Sequence, residues 1–195
     1  MLFRSPRPSG TLKGYGKATR PSGEKRIGEP FLIGDEMTGG YGTGADILHA
    51  CTIAVNQGEI AVIVDPNGAG KSTTIGVVTS LINRSAGAIE VFGVDTERDL
   101  EGAKRLIGVV PQELNINQFE QPLQIVAQQA GYYGVPWREA QARAAECLNW
   151  MGLWEKRSVM ARSLSGGMKR RLMIARALVH GPRLLILDRK STRLN

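Results

Sequence analysis

A glycine-rich segment followed by a lysine and two hydroxyl residues is the first pattern in this chain that could bind a ligand. Residues 65–73 read DPNGAGKST, between the apolar run EIAVIV at 59–64 and a stretch at 72–83 that predicts a helix. Glycines let backbone N–H groups close around phosphate oxygens, and a helix N-terminus adds a positive pole. Lys71 would then reach the β- and γ-phosphates of a nucleotide, and the Ser72 hydroxyl would ligate Mg²⁺. We predict a phosphate-binding loop, and the alternative is an unrelated glycine-rich turn.

One residue of this loop departs from the full pattern G-x-x-x-x-G-K-[ST]. Asp65 stands where the pattern has its first glycine. A carboxylate at the entrance of a site for a polyanion repels the ligand by about 1–3 kcal/mol at roughly 6–8 Å and intermediate dielectric. We therefore predict that Asp65 weakens nucleotide binding by about tenfold to a hundredfold.

Two further patterns lie later in the chain. Residues 164–169 read LSGGMK and open a basic helix predicted over 166–180, with Ser165 as its N-cap. Two glycines in that first turn leave backbone N–H groups bare, which favours a second anion site. Asp188 ends the apolar run LLILD and is a candidate metal-binding carboxylate. The alternative is an aspartate that only caps the end of a strand.

Apolar runs and helix patterns alternate along the chain and predict an α/β fold with a mainly parallel sheet. Predicted strands are 47–54, 59–64, 88–92, 105–112 and 183–188. Predicted helices are 72–83, a helix opened by Pro136 with the stripe Ala140, Ala144, Leu148 and Met151, and 166–180. Residues 115–165 look like a helical insertion. Residues 1–38, rich in Gly, Pro, Arg and Lys, predict a disordered or non-native N-terminal segment.

Composition limits the function classes. The 195 residues carry a net charge of +7, which allows nucleic acid, an anionic membrane face or a polyanionic ligand as partner, or only a mildly basic surface. The two cysteines, Cys51 and Cys147, are too far apart for a CxxC site, so we expect neither a disulfide framework nor a zinc centre. No apolar run approaches the roughly 20 residues of a membrane span, and the N-terminus lacks a signal-peptide pattern.

These motifs together resemble the ATP-binding subunit of ABC transporters over residues 39–188. The phosphate loop, Gln112 after a strand, LSGGMKRRLMIARAL and LLILD follow the family's order and spacing. The resemblance implies a P-loop NTPase core with an antiparallel β edge and a helical insertion. It also implies ATP hydrolysis, with ATP and Mg²⁺ as cofactors.

The resemblance assigns roles residue by residue. The implied ATP-binding residues are Tyr41, Asn67, Gly68, Ala69, Gly70, Lys71, Ser72, Thr73 and Gln112. Residues implied to bind the nucleotide of the opposite subunit, in a homodimer, are Ser165, Gly166 and Gly167. Implied Mg²⁺ ligands are Ser72, Gln112 and Asp188. Tyr41 would stack on adenine, or it is an ordinary loop residue, and Gln112 has the same alternative.

The resemblance stops at Asp188. The family places a glutamate next, which polarises the attacking water, whereas this chain has Arg189. We therefore expect the C-terminal part of the domain to be missing, residues 189–195 to be a non-native tail, and hydrolysis to be impaired. No catalytic residue is expected to be intact.

The resemblance implies a peripheral protein on the cytoplasmic face of the membrane, bound to a membrane-spanning permease. Residues 39–64 are similar to the branched-chain amino acid uptake branch, and residues 73–188 to the drug and polysaccharide export branch. We therefore hypothesise that two genes are joined within the phosphate loop. Two alternatives stay open for function: a nucleotide-binding module that does not hydrolyse ATP, and a soluble ABC-type protein that acts on nucleic acid.

Overall fold

The computed structural model describes residues 2–4, 30–41, 46–56, 61–64 and 70–188. These residues fall into two compact units, one that ends at Lys104 and one that begins at Arg105. The strands, in chain order, are β1 (Leu2–Arg4), β2 (Pro30–Gly40), β3 (Leu48–Asn56), β4 (Val62–Val64), β5 (Asn83–Val91), β6 (Val94–Asp95), β7 (Ile107–Val110) and β8 (Leu184–Leu187). The α-helices are α1 (Lys71–Val78), α2 (Leu100–Arg105), α3 (Pro122–Tyr132), α4 (Trp137–Trp150) and α5 (Gly166–Leu178).

The described strands form three sheets, and the largest of them is antiparallel, whereas the sequence predicts a mainly parallel sheet. In the first unit an antiparallel sheet has the strand order β3-β2-β5-β6, and β1 pairs with β4 in parallel. In the second unit β7 and β8 form a parallel pair. Parallel neighbours need a crossover connection, and here α3, α4 and α5 supply it. The helical insertion predicted over 115–165 is thus confirmed.

The predicted disorder of residues 1–38 is wrong where the structure describes them. Leu2–Arg4 is strand β1, and Pro30–Gly40 is the strand between β3 and β5. Register shifts in β2, with Glu36 at φ 45°, break its period of two, so buried residues such as Met37 do not alternate regularly with exposed ones. The rest of the predicted segment lies outside the described residues.

Helix α1 is shorter than the sequence predicts. It ends at Val78 rather than Asn83, because Ser80 takes the left-handed conformation with φ 55°. The backbone N–H of Leu81 then donates to the Gly76 carbonyl at 2.8 Å, which closes the turn. Strand β5 therefore starts at Asn83, five residues before the predicted strand at 88–92.

The second unit has its own core, built largely from the three helices. Ala140, Ala144 and Leu148 are fully buried and Met151 is half-buried, which confirms the stripe predicted for α4. Other buried members of this core are Ile125, Val126, Ala127, Ala130, Cys147, Leu153, Ala161, Leu164, Leu172, Ala175 and Val179. After α4, the guanidinium of Arg157 lies 4.1 Å from the centre of the Trp154 ring.

Helix α5 begins where the sequence predicts and ends at Leu178, two residues before the predicted end at 180, and it lies very close to β7. Ser165 is its N-cap, and Gly181 with φ 74° follows its C-terminus. A Cβ on Gly108 would lie 2.5 Å from the Ala177 carbonyl oxygen, so only glycine permits this approach of strand and helix.

His180 makes the second unit sensitive to acid. Its ring stacks on Tyr133 with the two ring centres 3.7 Å apart, and its Nε2 lies 3.2 Å from the Ile107 carbonyl oxygen. Burial lowers the pKa of His180 below its ordinary 6.5 and Arg143 lowers it further, although the Ile107 contact acts in the opposite direction. The unfolded chain therefore binds more protons than the folded chain below pH 6.5, and stability falls as the pH falls through that value.

We accordingly expect His180→Phe, which keeps a ring on Tyr133, to flatten the loss of unfolding free energy between pH 7.5 and 5.5. Urea denaturation at several pH values checks this, with the exposed His49→Phe as the matched control. If His180→Phe and the unsubstituted protein lost the same stability over this range, His180 would not be responsible.

Candidate functional site

The N-terminus of α1 has the geometry of an anion site. Gly70 is its N-cap with φ 101°, a left-handed conformation that favours glycine, and no side chain caps the helix. The backbone N–H of Thr74 donates to the Gly70 carbonyl at 2.7 Å, and its hydroxyl donates to the same oxygen at 3.0 Å. The first turn holds Lys71 and Ser72 and no acidic residue. Because the first N–H groups of a helix have no acceptor within it, this turn favours a negative ligand.

The other residues of the predicted ATP site are partly described. Thr73 is buried in α1, and Tyr41 follows β2 with 60% of its surface exposed. An exposed ring at a strand end is available for stacking, as its predicted role requires. Predictions that lie outside the described residues concern Asp65, Asn67, Gly68, Ala69 and Arg189.

The second unit brings two predicted Mg²⁺ ligands to one edge of a sheet. Val110 pairs with Leu187 at the ends of β7 and β8, and the backbone N–H of Asp188 donates to the Val110 carbonyl at 2.9 Å. Gln112 follows two residues after Val110, so the chain segments that carry Gln112 and Asp188 leave neighbouring strands in the same direction. Both residues are half-buried.

Their donor chemistry fits the implied metal. Mg²⁺ prefers oxygen ligands and is commonly held by one or two carboxylates together with substrate phosphates. Asp188 and Gln112 offer a carboxylate and an amide oxygen at one sheet edge of the second unit. ATP would supply the phosphate oxygens and Mg²⁺ would neutralise part of their charge.

The start of α5 exposes bare backbone. The Ser165 hydroxyl accepts a hydrogen bond from the Met168 N–H at 3.3 Å, which confirms the predicted N-cap. Gly166 and Gly167 are exposed, and a Cβ built on either meets nothing within 4 Å among the described residues. Packing within the described chain therefore does not require glycine at these two positions. Glycines there leave room for another molecule to approach the backbone.

Two arginines of α5 were not predicted as site residues. Arg170 Nη1 donates to the Pro111 carbonyl at 2.5 Å, and Arg170 Nη2 donates to the Asp188 carbonyl at 3.0 Å. Arg176 Nη1 donates to the Asn115 carbonyl, and burial lowers the pKa of Arg176. The sequence signal for Arg170 was the basic run in LSGGMKRR, which by itself indicates only a charged helix face, and Arg176 lies five residues beyond that run.

Comparison with protein families settles the class of this molecule. The protein family described as "ABC transporter" matches residues 48–191 of this chain. The chain belongs to the ABC transporter family. Members of this family are ATPases, which agrees with the activity that the motifs imply.

Relatives of this ABC chain are ATP-binding proteins of both exporters and importers. It is 38% identical over 142 residues to the linearmycin resistance ATP-binding protein LnrL of Bacillus subtilis, covering 73% of this chain and 46% of that protein. It is 36% identical over 155 residues to the Nod factor export ATP-binding protein I of Rhizobium etli, covering 80% and 49%. It is also 36% identical over 168 residues to the methionine import ATP-binding protein MetN 2 of Burkholderia mallei, covering 84% and 42%. The chain thus spans about half the length of the curated relatives that it matches.

Solved structures share the fold of this ABC chain. An ATP-binding subunit of an ABC transporter matches with a TM-score of 0.70 and 29% identity, over 81% of this chain and 65% of that one. CbiO1 from Clostridium perfringens, part of the ABC transporter complex CbiONQ, matches with a TM-score of 0.70 and 27% identity, over 85% and 68%. These likenesses confirm the P-loop NTPase core. Among the described residues, no helix is both long enough and apolar enough to cross a bilayer.

Proposed function

We propose that this ABC-family chain is an ATP-binding subunit that binds ATP with Mg²⁺ and couples it to transport through a membrane permease. The observation that carries the proposal is the left-handed Gly70, which opens α1 with Lys71 and Ser72 in a first turn free of acidic residues. Such a turn holds the phosphates of a nucleotide on backbone N–H groups. The relatives are named ATP-binding proteins of export and import systems, which supports the transport role.

The proposed site residues keep the roles that the motifs imply. Tyr41 stacks on adenine, and Lys71 contacts the β- and γ-phosphates. The remaining proposed contacts to the nucleotide are Asn67, Gly68, Ala69, Gly70, Ser72, Thr73 and Gln112. The Mg²⁺ ligands are Ser72, Gln112 and Asp188, and every one of them offers oxygen, as Mg²⁺ prefers.

We further propose that the active form is a homodimer at the cytoplasmic face of the membrane. Gly166 and Gly167 support this, because they are exposed and are not required by packing among the described residues. With Ser165 they would bind the nucleotide held by a second copy. The bare N–H groups and the positive helix end then face the phosphates of that nucleotide.

Hydrolysis by this chain is proposed to be slow. Arg189 occupies the position at which the family motif has the glutamate that polarises water. The loss of such a group typically costs about 10²–10⁴ in rate. This substitution also favours a second candidate function, a nucleotide-binding module without turnover. Phosphate release measured beside ATP binding separates the two, because only the first candidate releases phosphate above background.

An ATP titration tests the proposed function. Isothermal titration calorimetry with and without Mg²⁺ should show ATP binding that Mg²⁺ strengthens. Asp65→Gly should tighten ATP binding by about tenfold or more, because it removes a carboxylate from the entrance of a polyanion site. Glu101→Gln, at an exposed acidic residue outside the motif, is the control for the change in net charge. A protein that showed no affinity for ATP with Mg²⁺, even as Asp65→Gly, would contradict the proposed function.

A further inference from the structure

Arg170 of α5 connects the ends of two neighbouring strands. Its Nη1 donates to the Pro111 carbonyl at 2.5 Å and lies 3.4 Å from the Gln112 carbonyl. Its Nη2 donates to the Asp188 carbonyl at 3.0 Å. One half-buried guanidinium therefore bonds the backbone after β7 and the backbone after β8 together.

Two of these carbonyls belong to residues that are proposed to bind Mg²⁺. Gln112 and Asp188 are the two proposed Mg²⁺ ligands of the second unit, and Arg170 donates to the backbone carbonyls of both residues. Guanidinium is planar, and its N–H donors form a rigid fork, so a single Arg170 conformation fixes the separation of the acceptors that it bonds. Arg170 also lies one turn into α5, behind Ser165, Gly166 and Gly167.

We propose that Arg170 is a positioning residue that sets the distance between the Gln112 and Asp188 side chains for Mg²⁺ and ties that distance to the start of α5. The proposal rests on the proposed function, since it needs ATP and Mg²⁺ as ligands. Arg170 touches neither ligand. It acts through the backbone that carries the two oxygen donors.

The side chain must be arginine for this role. Lysine carries its donors on one nitrogen, a point charge without the planar fork that reaches two separate carbonyls. Arg170→Lys keeps the charge of α5 and loses the bridge. Charge alone therefore does not restore the function, and this separates positioning from a general electrostatic effect.

The experiment compares how strongly Mg²⁺ improves ATP binding in three variants. ATP dissociation constants are measured by calorimetry with Mg²⁺ and with EDTA. In EDTA, we expect the ATP dissociation constant of Arg170→Met to stay within about twofold of that of the unsubstituted protein, because the phosphate loop lies elsewhere in the sequence. We expect the factor by which Mg²⁺ tightens ATP binding to be at least about fivefold smaller in Arg170→Met than in the unsubstituted protein. Arg170→Lys should lose a similar part.

Arg171→Met is the matched control. Arg171 is the next residue of the same helix, and its Nη1 donates only to the Met151 carbonyl among the described contacts, at 2.7 Å. Arg171→Met removes the same charge from α5 as Arg170→Met does. We expect Mg²⁺ to improve its ATP affinity as much as that of the unsubstituted protein. Thermal unfolding of each variant reports whether the fold is retained.

The outcomes separate this inference from the proposed function. If Arg170→Met or, should that variant fail to fold, Arg170→Lys kept the full improvement by Mg²⁺, the positioning role would be overturned and ATP binding would stand. The same holds if Arg171→Met lost as much as the Arg170 variants. A chain without ATP affinity would overturn the proposed function, and this inference with it.

Discussion

Replacing Lys71 by alanine is expected to weaken ATP binding by about a hundredfold or more. Lys71 is the first residue of α1, directly after the left-handed Gly70. Its ammonium is proposed to bond the β- and γ-phosphates, and a hydrogen bond to a charged group contributes roughly 1.5–3 kcal/mol. Two such bonds correspond to about two orders of magnitude in the dissociation constant at the lower end of that range.

The measurement is calorimetric titration with ATP in the presence of Mg²⁺. Lys104→Ala is the matched control, since Lys104 is an exposed lysine of α2 in the same unit and lies outside the motif. Circular dichroism of each variant reports whether it keeps the fold. Equal ATP affinity in Lys71→Ala and Lys104→Ala would exclude the phosphate loop as the nucleotide site.

Leu148→Ala is expected to reduce the free energy of unfolding by about 2–5 kcal/mol. Leu148 lies on α4, is fully buried, and belongs to the helical core of the second unit. Removing its branched end loses apolar contacts and leaves a cavity that close-packed neighbours fill only in part. Since domains typically have 5–15 kcal/mol of stability, this single change removes a large share.

Urea denaturation followed by circular dichroism measures the effect. Leu114→Ala removes the same atoms from a side chain that is 48% exposed, and we expect it to change the unfolding free energy by less than about 1 kcal/mol. A Leu148→Ala variant as stable as Leu114→Ala would show that α4 does not pack as described.

Local patterns predicted the elements around the site, and long-range geometry explains what they missed. The apolar runs of β7 and β8 and the Ser165 cap are each encoded within a few residues, so the sequence places the start of α5 and the two neighbouring strands well. Strand β2 was missed because its bulges are induced by pairing with β3 and β5, and pairing partners far apart in the chain leave no periodic trace.

The candidate site shows the same division. Lys71, Ser72 and Ser165 were placed at helix starts because glycine and hydroxyl residues have defined local roles there. Arg170 was missed because its acceptors, Pro111 and Asp188, lie 59 and 18 residues away in sequence. A basic residue on a helix looks the same in sequence whether it is solvated or bonds two strand ends. The assignment of each site residue to ATP or Mg²⁺ stays a prediction.

The tryptophans give the second unit an optical signal of its own. The chain has three. Trp137 and Trp150 are the first and last residues of α4, and Trp154 lies in the turn that follows α4. Trp150 is 70% exposed, whereas Trp154 is half-buried against Arg157, so the indoles sample different polarity. Their emission spectrum therefore originates entirely in the helical half of the chain. Changes in the antiparallel sheet have no intrinsic fluorophore of this kind and must be followed by another method.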